Sequence, residues 1–271
     1  MDFRYFSRNG KILPIEDATI PLSNIEYQYG FGVYESIRVV NGNPLFLNEH
    51  LERLENSAKI ICLEHSFGTI IYDSARELIN TLGDGTYNLK ILLIGGSEPL
   101  LYIIPLNPHF PDKKLYRDGV DLVSYNYERP FPHAKSLNML QSYLAYKKAK
   151  EAGAYDALLV NTQGCITEGT RTNFFCIRGK SLVSAPESQI LLGVTRGAVL
   201  TVAHEHGFSL EERDITLNEI ESADSAFITS TSSKILPVRS IDDTKIKAKP
   251  PALVELMDAY EAHLARIVAT G

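Results

Sequence analysis

Cysteine is scarce in this 271-residue chain: Cys62, Cys165 and Cys176 are odd in number and share no paired spacing. Such a set builds no disulfide framework, and no metal ligand set is assigned to the sequence. Long apolar runs are missing too; none approaches the roughly 20 residues a membrane span needs. With no basic-then-apolar leader at Met1–Gly10, the chain reads as cytoplasmic. Excess positive charge is absent: 27 Lys and Arg oppose 33 Asp and Glu, a formal net charge of −6 with no basic block. That removes the electrostatic footprint of a nucleic-acid or anionic-membrane binder. No internal repeat occurs, and no G-x-G-x-x-G turn joins a strand to a helix, which disfavours a dinucleotide fold.

What is present is ordinary globular material. Hydrophobic residues make up 44% and charged residues 22%, which excludes a disordered or low-complexity protein. Asn9-Gly10 predicts a hairpin turn between Phe3–Phe6 and Lys11–Leu13, and Asn41-Gly-Asn43 a second between Val33–Val40 and Pro44–Leu47. Leu47, Leu51, Leu54, Ala58 and Ile61 then recur as one helix face, and Ile70–Leu82 predicts another helix. Leu89–Ile94 and Leu100–Ile104 read as buried strands. The proline-dense stretch from Pro105 suits neither helix nor central strand and marks a boundary within Asn107–Arg117. Further on the pattern predicts a helix over Ser136–Ala152, with Leu137, Leu140 and Leu144 inward, and hairpins over 155–168 and 173–184. A helix Thr195–His206 and a C-terminal helix striped by Leu253, Leu256, Tyr260, Leu264 and Ile267 complete the reading. The fold class is α+β in two domains: a smaller N-terminal α/β domain over 1–112, a linker over 113–118, and a larger domain over 119–271 with a mainly antiparallel, barrel-like sheet.

Four places can carry chemistry. Gly193-Val194-Thr195 opens a helix, where unpaired N–H groups and the helix dipole favour an anion; simple capping by Thr195 is the ordinary alternative. Lys135 enters an apolar helix junction, where desolvation would free its amine to attack a carbonyl; a lysine without context is normally solvated. Glu168 and Asn173 bracket a turn that can aim a carboxylate and an amide into a cavity. Arg53 lies beside the apolar helix face, on the stripe His50, Arg53, Ser57.

Five blocks occur in order: Gly-Val-Tyr-Glu-Ser-Ile-Arg38, His50-Leu-Glu-Arg-Leu54, Lys135-Ser-Leu-Asn138, Thr167-Glu-Gly169 with Asn173-Phe-Phe, and Leu192-Gly-Val-Thr-Arg196. Together they resemble the class IV (fold type IV) pyridoxal-phosphate enzymes, which include D-amino acid and branched-chain aminotransferases and 4-amino-4-deoxychorismate lyases. The resemblance implies pyridoxal 5'-phosphate as cofactor. It implies Lys135 as the Schiff-base lysine and proton carrier, and Glu168 as partner of the pyridine nitrogen. Arg53, Gly193, Val194, Thr195, Thr231 and Ser232 are implied around the phosphate, with Asn173 also at the cofactor. Amino acids and 2-oxo acids are the implied substrates, and a homodimer the implied assembly.

The branch signatures are mixed. Lys135-Ser-Leu-Asn-Met-Leu140, Tyr34 and Ser230-Thr-Ser-Ser233 resemble the D-amino acid group, whereas Glu-Ser-Ile-Arg38 resembles the branched-chain group. The Arg-x-His pair of typical D-amino acid enzymes has no counterpart in Gly96–Tyr102. Arg171, expected to be buried, and Lys90 remain as cations for the substrate carboxylate, with Tyr34 and Arg38 at the same site. The expectation is a D-amino acid transaminase, with the branched-chain enzyme and the lyase as alternatives.

Overall fold

The computed structural model describes residues 2–270, which form two compact units. In the first, β1 (Tyr5–Arg8) and β2 (Lys11–Pro14) are followed by a single turn α1 (Ile25–Gln28), β3 (Gly32–Val40), β4 (Asn43–Pro44), the helices α2 (Leu47–Ile60) and α3 (Ile70–Leu82), β5 (Thr86–Ile94) and β6 (Leu100–Leu106). The strands make one antiparallel sheet in the order β2-β1-β6-β5-β3-β4. Asn9-Gly10 and Asn41-Gly42 turn their hairpins with positive φ at both residues, the geometry that matches strand twist. Alternation along β3 sends Val33, Glu35, Ile37 and Val39 to one face, where they are buried with Leu54 and Ala58 of α2 and Ala75 and Leu78 of α3. Tyr34, Ser36 and Arg38 occupy the other face.

Two expectations here change. The hairpin partner of β3 is shorter than expected, Asn43–Pro44, because helix α2 already begins at Leu47; the long partner of β3 is β5. Strand β6 also runs through Pro105 to Leu106. It is tolerated because β1 pairs with Ile103 and Tyr102 only, so the edge beside Pro105 needs no donor.

The second unit contains α4 (Lys113–Asp118), β7 (Val120–Asn126), α5 (Leu140–Glu151), β8 (Asp156–Val160), β9 (Ile166–Gly169), β10 (Asn173–Arg178), β11 (Ser181–Ser184), α6 (Val194–Glu205), β12 (Ser209–Glu212), β13 (Ser225–Ser230), β14 (Lys234–Ile241), β15 (Thr244–Lys245) and most of α7 (Pro251–Thr270). Because β9 pairs with both β8 and β10, the strands β10-β13-β14-β7-β8-β9 close into a six-stranded ring. Most pairs are antiparallel; β7 runs parallel to both β8 and β14, and β11 parallel to β12. Leu122, Leu158, Ile166, Phe174, Ile228 and Leu236 fill one buried cluster. Helix α4 lies within the stretch expected to be free of helix; it starts after the last proline, Pro111, has passed.

Residues 134–139 group with the first unit, whereas the sequence reading gave that domain one continuous span ending at residue 112. The reason is backbone pairing: Tyr34 N–H donates to Lys135 O at 2.9 Å, and Leu137 N–H to Gly32 O at 2.8 Å. Residues held extended in this way cannot be helical, so α5 begins at Leu140 and not at Ser136. Its inward face also differs from the leucine stripe expected. Leu140 and Leu144 are exposed, and Ser142, Ala145 and Ala149 face the sheet, small enough to bring the helix close to Ala157 and Leu159.

Candidate active site

Strand β3 places Glu35 on the core face of the first unit, fully buried, and a carboxylate there survives only with partners. Helix α2 supplies them one turn apart. Arg53 meets Glu35 with Nε to Oε1 at 2.6 Å and Nη2 to Oε2 at 2.8 Å, and His50 Nδ1 lies 2.6 Å from Oε2. Burial alone would raise the Glu35 pKa, but the Arg53 charge and the His50 hydrogen bond outweigh it and hold the carboxyl at about 2. Burial lowers the His50 pKa, helped by the Arg53 and Lys135 charges and opposed by Glu35. The imidazole is therefore neutral at pH 7, and since a carboxylate only accepts, Nδ1 carries the proton. Arg53 is thus oriented by a buried acid rather than by solvent.

Lys135 is half-buried, with Nζ 4.6 Å from the centre of the Tyr34 ring. Lys90, on β5 and paired in register with Ser36, puts its Nζ 5.4 Å from the same ring. One tyrosine therefore carries two amines. Lys90 also lines a cavity of about 530 Å³ with Ile20, Pro21, Leu22, Leu137 and Met139. Among the described residues Lys90 has no carboxylate within ion-pair distance, so it is the charged group of an otherwise neutral cavity. Arg38 shares the sheet face of Tyr34 and Lys90 and is half-buried.

In the second unit Glu168, at the end of β9, is 3% exposed. Arg129 Nε lies 2.7 Å from its Oε1. Its Oε2 accepts the Leu191 N–H at 3.1 Å and the Asn173 amide at 3.4 Å. Asn173 Nδ2 also donates to Leu191 O at 2.7 Å. Its amide is therefore committed to the protein, which recasts its expected cofactor contact as support for Glu168 and the loop 191–193. The turn below is tied by Asp156, which accepts from Thr170 and from Thr172 Oγ1, while Arg129 Nη2 donates to Thr170 O at 2.7 Å.

Gly193 caps α6 and Thr195 lies inside the helix, so capping by Thr195 is not its role; among the described residues no side chain makes a cap hydrogen bond at that helix start. A Cβ at Gly193 would lie 2.1 Å from Asn173 Oδ1, so the backbone approaches as closely as glycine permits. Thr195 is buried, Thr231 and Ser232 are half-buried, and Thr229 Oγ1 is buried without a hydrogen bond among the described residues. A helix start without a side-chain cap, with the buried Thr195 hydroxyl in its first turn, is a donor set that fits a phosphate. Arg171 departs from expectation: it is exposed, with its guanidinium 4.0 Å from the Tyr146 ring centre.

The profile of the family "Amino-transferase class IV" matches residues 32–241. The chain is a class IV aminotransferase. Members of this family use pyridoxal 5'-phosphate and act on amino acids and 2-oxo acids. This aminotransferase is 33% identical over 256 residues to the D-alanine aminotransferase of Bacillus licheniformis, with 90% of each chain covered. It is 33% identical over 261 residues to a putative branched-chain-amino-acid aminotransferase of Methanocaldococcus jannaschii, with 89% of each covered. Its fold matches the branched-chain aminotransferase of the archaeon Thermoproteus uzoniensis solved with norvaline, with a TM-score of 0.85 and 25% identity over 95% of this chain and 93% of that one. The fold is therefore fold type IV, as the five sequence blocks implied.

The sequence reading missed three residues. Glu35 and His50 were visible in the motif blocks but given no role; a glutamate alternating with Val33, Ile37 and Val39 is the signal that could have found them. Arg129 lies in a proline-rich segment and gave no such signal.

Proposed function

We propose that this aminotransferase is of the D-amino acid type, with Lys135 as the amine that binds the cofactor aldehyde. Glu168 pairs with the ring nitrogen, and Arg53 with the start of α6, Thr231 and Ser232 holds the phosphate. Pyridoxal phosphate held there would supply an electron sink for the substrate's α-carbon. Lys135 Nζ would take the proton from that carbon and give one back in the reverse half-reaction, so one amine would serve both halves and the kinetics would be ping-pong. Arg129, the Leu191 amide and Asn173 hold the Glu168 carboxyl in place, and a carboxylate in that position favours a protonated ring nitrogen.

The observation that carries the reading is the pair of amines on Tyr34: Lys135 to do the chemistry, and Lys90, which lines a cavity and has no ion-pair partner among the described residues, to take the substrate carboxylate. Arg171, exposed on Tyr146, is the weaker candidate for that task. The motif Lys135-Ser-Leu-Asn and the D-alanine relative favour the D series. The apolar part of the Lys90 cavity, Ile20, Pro21, Leu22, Leu137 and Met139 beside the polar Asn24 and Gln28, favours a second reading, an L-branched-chain enzyme. A panel of D- and L-amino acids added to the yellow protein, with bleaching of its visible band followed, decides between them. Bleaching by D-alanine and not L-leucine supports the first reading, the converse supports the second, and no bleaching by any member overturns both.

We also propose a homodimer. Leu22 is 94% exposed and Tyr29 79%, with Ile25 and Tyr27 beside them, an apolar segment that a second copy would cover. Sedimentation at micromolar concentration should give twice the monomer mass of 30.2 kDa; a monomer contradicts it.

A further inference from the structure

On the α2 stripe of His50, Arg53 and Ser57, the last residue has no part in the chemistry described above. Ser57 is fully buried. Its Oγ lies 2.7 Å from Arg53 O and 3.1 Å from the amide nitrogen of Lys135, 78 residues along the chain. A carbonyl only accepts and an amide N–H only donates, so the hydroxyl proton goes to Arg53 O and an oxygen lone pair receives Lys135 N–H. The bond back to the preceding turn is common for a helical serine. Ser74 makes the same bond on α3, to Ile70 O at 2.6 Å, within its own helix. What sets Ser57 apart is the long-range amide it accepts from.

We propose that Ser57 is a positioning residue for Lys135. The segment 134–139 is tied to β3 through Lys135 O and Leu137 N–H, and Ser57 ties it at the Lys135 amide to α2. The main chain of the reacting lysine is thereby set in register with the helix that carries Arg53, whose side chain Glu35 fixes independently. One hydroxyl couples the amine to the phosphate-binding arginine. This rests on the reading that Lys135 bears the cofactor.

The test compares holoenzyme carrying Ser57→Ala with holoenzyme carrying Ser74→Ala, which removes an equivalent buried hydroxyl remote from Lys135. Misplacement of a reacting group by about an ångström costs up to about 100-fold, so Ser57→Ala should lower kcat by about ten- to hundredfold. KM should change by less than about threefold, as expected when an interaction matters in the transition state and little in substrate binding. The pH midpoint of the holoenzyme's visible absorbance should shift, and the Lys135 amide should exchange hydrogen at least about tenfold faster. Ser74→Ala should move none of these. If the two variants behave alike in kcat, pH midpoint and Lys135 exchange, the proposal is overturned. Should Ser57→Ala not fold, Ser57→Cys keeps the volume with a poor acceptor and is read in the same way. If neither folds, the wild-type Lys135 amide decides: protection supports the bond, and exchange at the rate of an open amide refutes it. A borohydride adduct on another lysine would defeat the underlying reading, whereas an adduct on Lys135 with Ser57→Ala unaltered defeats only the role of Ser57.

Discussion

Glu35 is costly where it sits, and its partners decide the sign of the outcome. Its pKa falls from 4.5 to about 2 on folding, so its contribution is complete above pH 4.5 and is lost as the pH drops toward 2. His50 is also depressed, so its contribution is complete above 6.5 and declines as the pH falls from there. Both losses lie on the acid side. Glu35→Gln should cost on the order of 3 kcal/mol at pH 7, because Arg53 and His50 lose their buried anion. Urea unfolding should show the gap to wild type narrowing between pH 4.5 and pH 2; a pH-independent gap would mean that the carboxylate charge is not what matters. Arg129→Ala strips the cation from Glu168 and should lower kcat/KM by about tenfold or more, a loss of about 1.4 kcal/mol of transition-state stabilisation. Unchanged kcat/KM would show that Leu191 and Asn173 suffice. At this scale the sequence was only partly legible. Alternation along β3 places Glu35 on the apolar face in plain view, but the Arg129 partnership depends on a turn that no periodicity announces.

Helix α6 shows what one backbone approach can demand. Gly193→Ala forces a Cβ to 2.1 Å from Asn173 Oδ1, so the loop 191–193 must shift and the Leu191 bonds to Asn173 and Glu168 loosen with it. Stability should fall by about 1–3 kcal/mol. Cofactor affinity should fall more than that strain alone implies, by about tenfold or more, since helix-start donors and the Glu168 anchor move together. Titration of the apoprotein with pyridoxal 5'-phosphate measures it, and unchanged affinity would remove Gly193 from the phosphate site. Local sequence rules served elements well where local physics governs. The Asn-Gly hairpins, the α2 face, the span of α3 and the start of α6 were all readable. They failed at residues 136–139, where pairing with β3 overrides helix propensity, and on α5, where close packing selects Ala145 and Ala149 over the leucines.

Across the whole molecule, the three thiols report how the fold protects its interior. Cys62 is exposed, while Cys165 and Cys176 are buried, and burial pushes the Cys176 thiol up to about 12. A bulky aromatic disulfide should therefore modify one thiol in the native protein and all three after denaturation. Rapid native reaction of Cys176, on β10, would show that the barrel opens readily. The family itself was legible because five separated blocks stand in one order along the chain, within the span 32–241 that matches the family profile. Substrate choice was not, because the surroundings of the candidate cations Lys90 and Arg171 are revealed only by the fold.

Catalysis here turns above all on which amine takes the cofactor, and Tyr34 offers two. Borohydride reduction of the yellow protein, followed by peptide mass mapping, distinguishes them directly. The adduct should lie on Lys135 alone and vanish in Lys135→Ala. An adduct on Lys90, or one that persists in Lys135→Ala, would contradict the assignment.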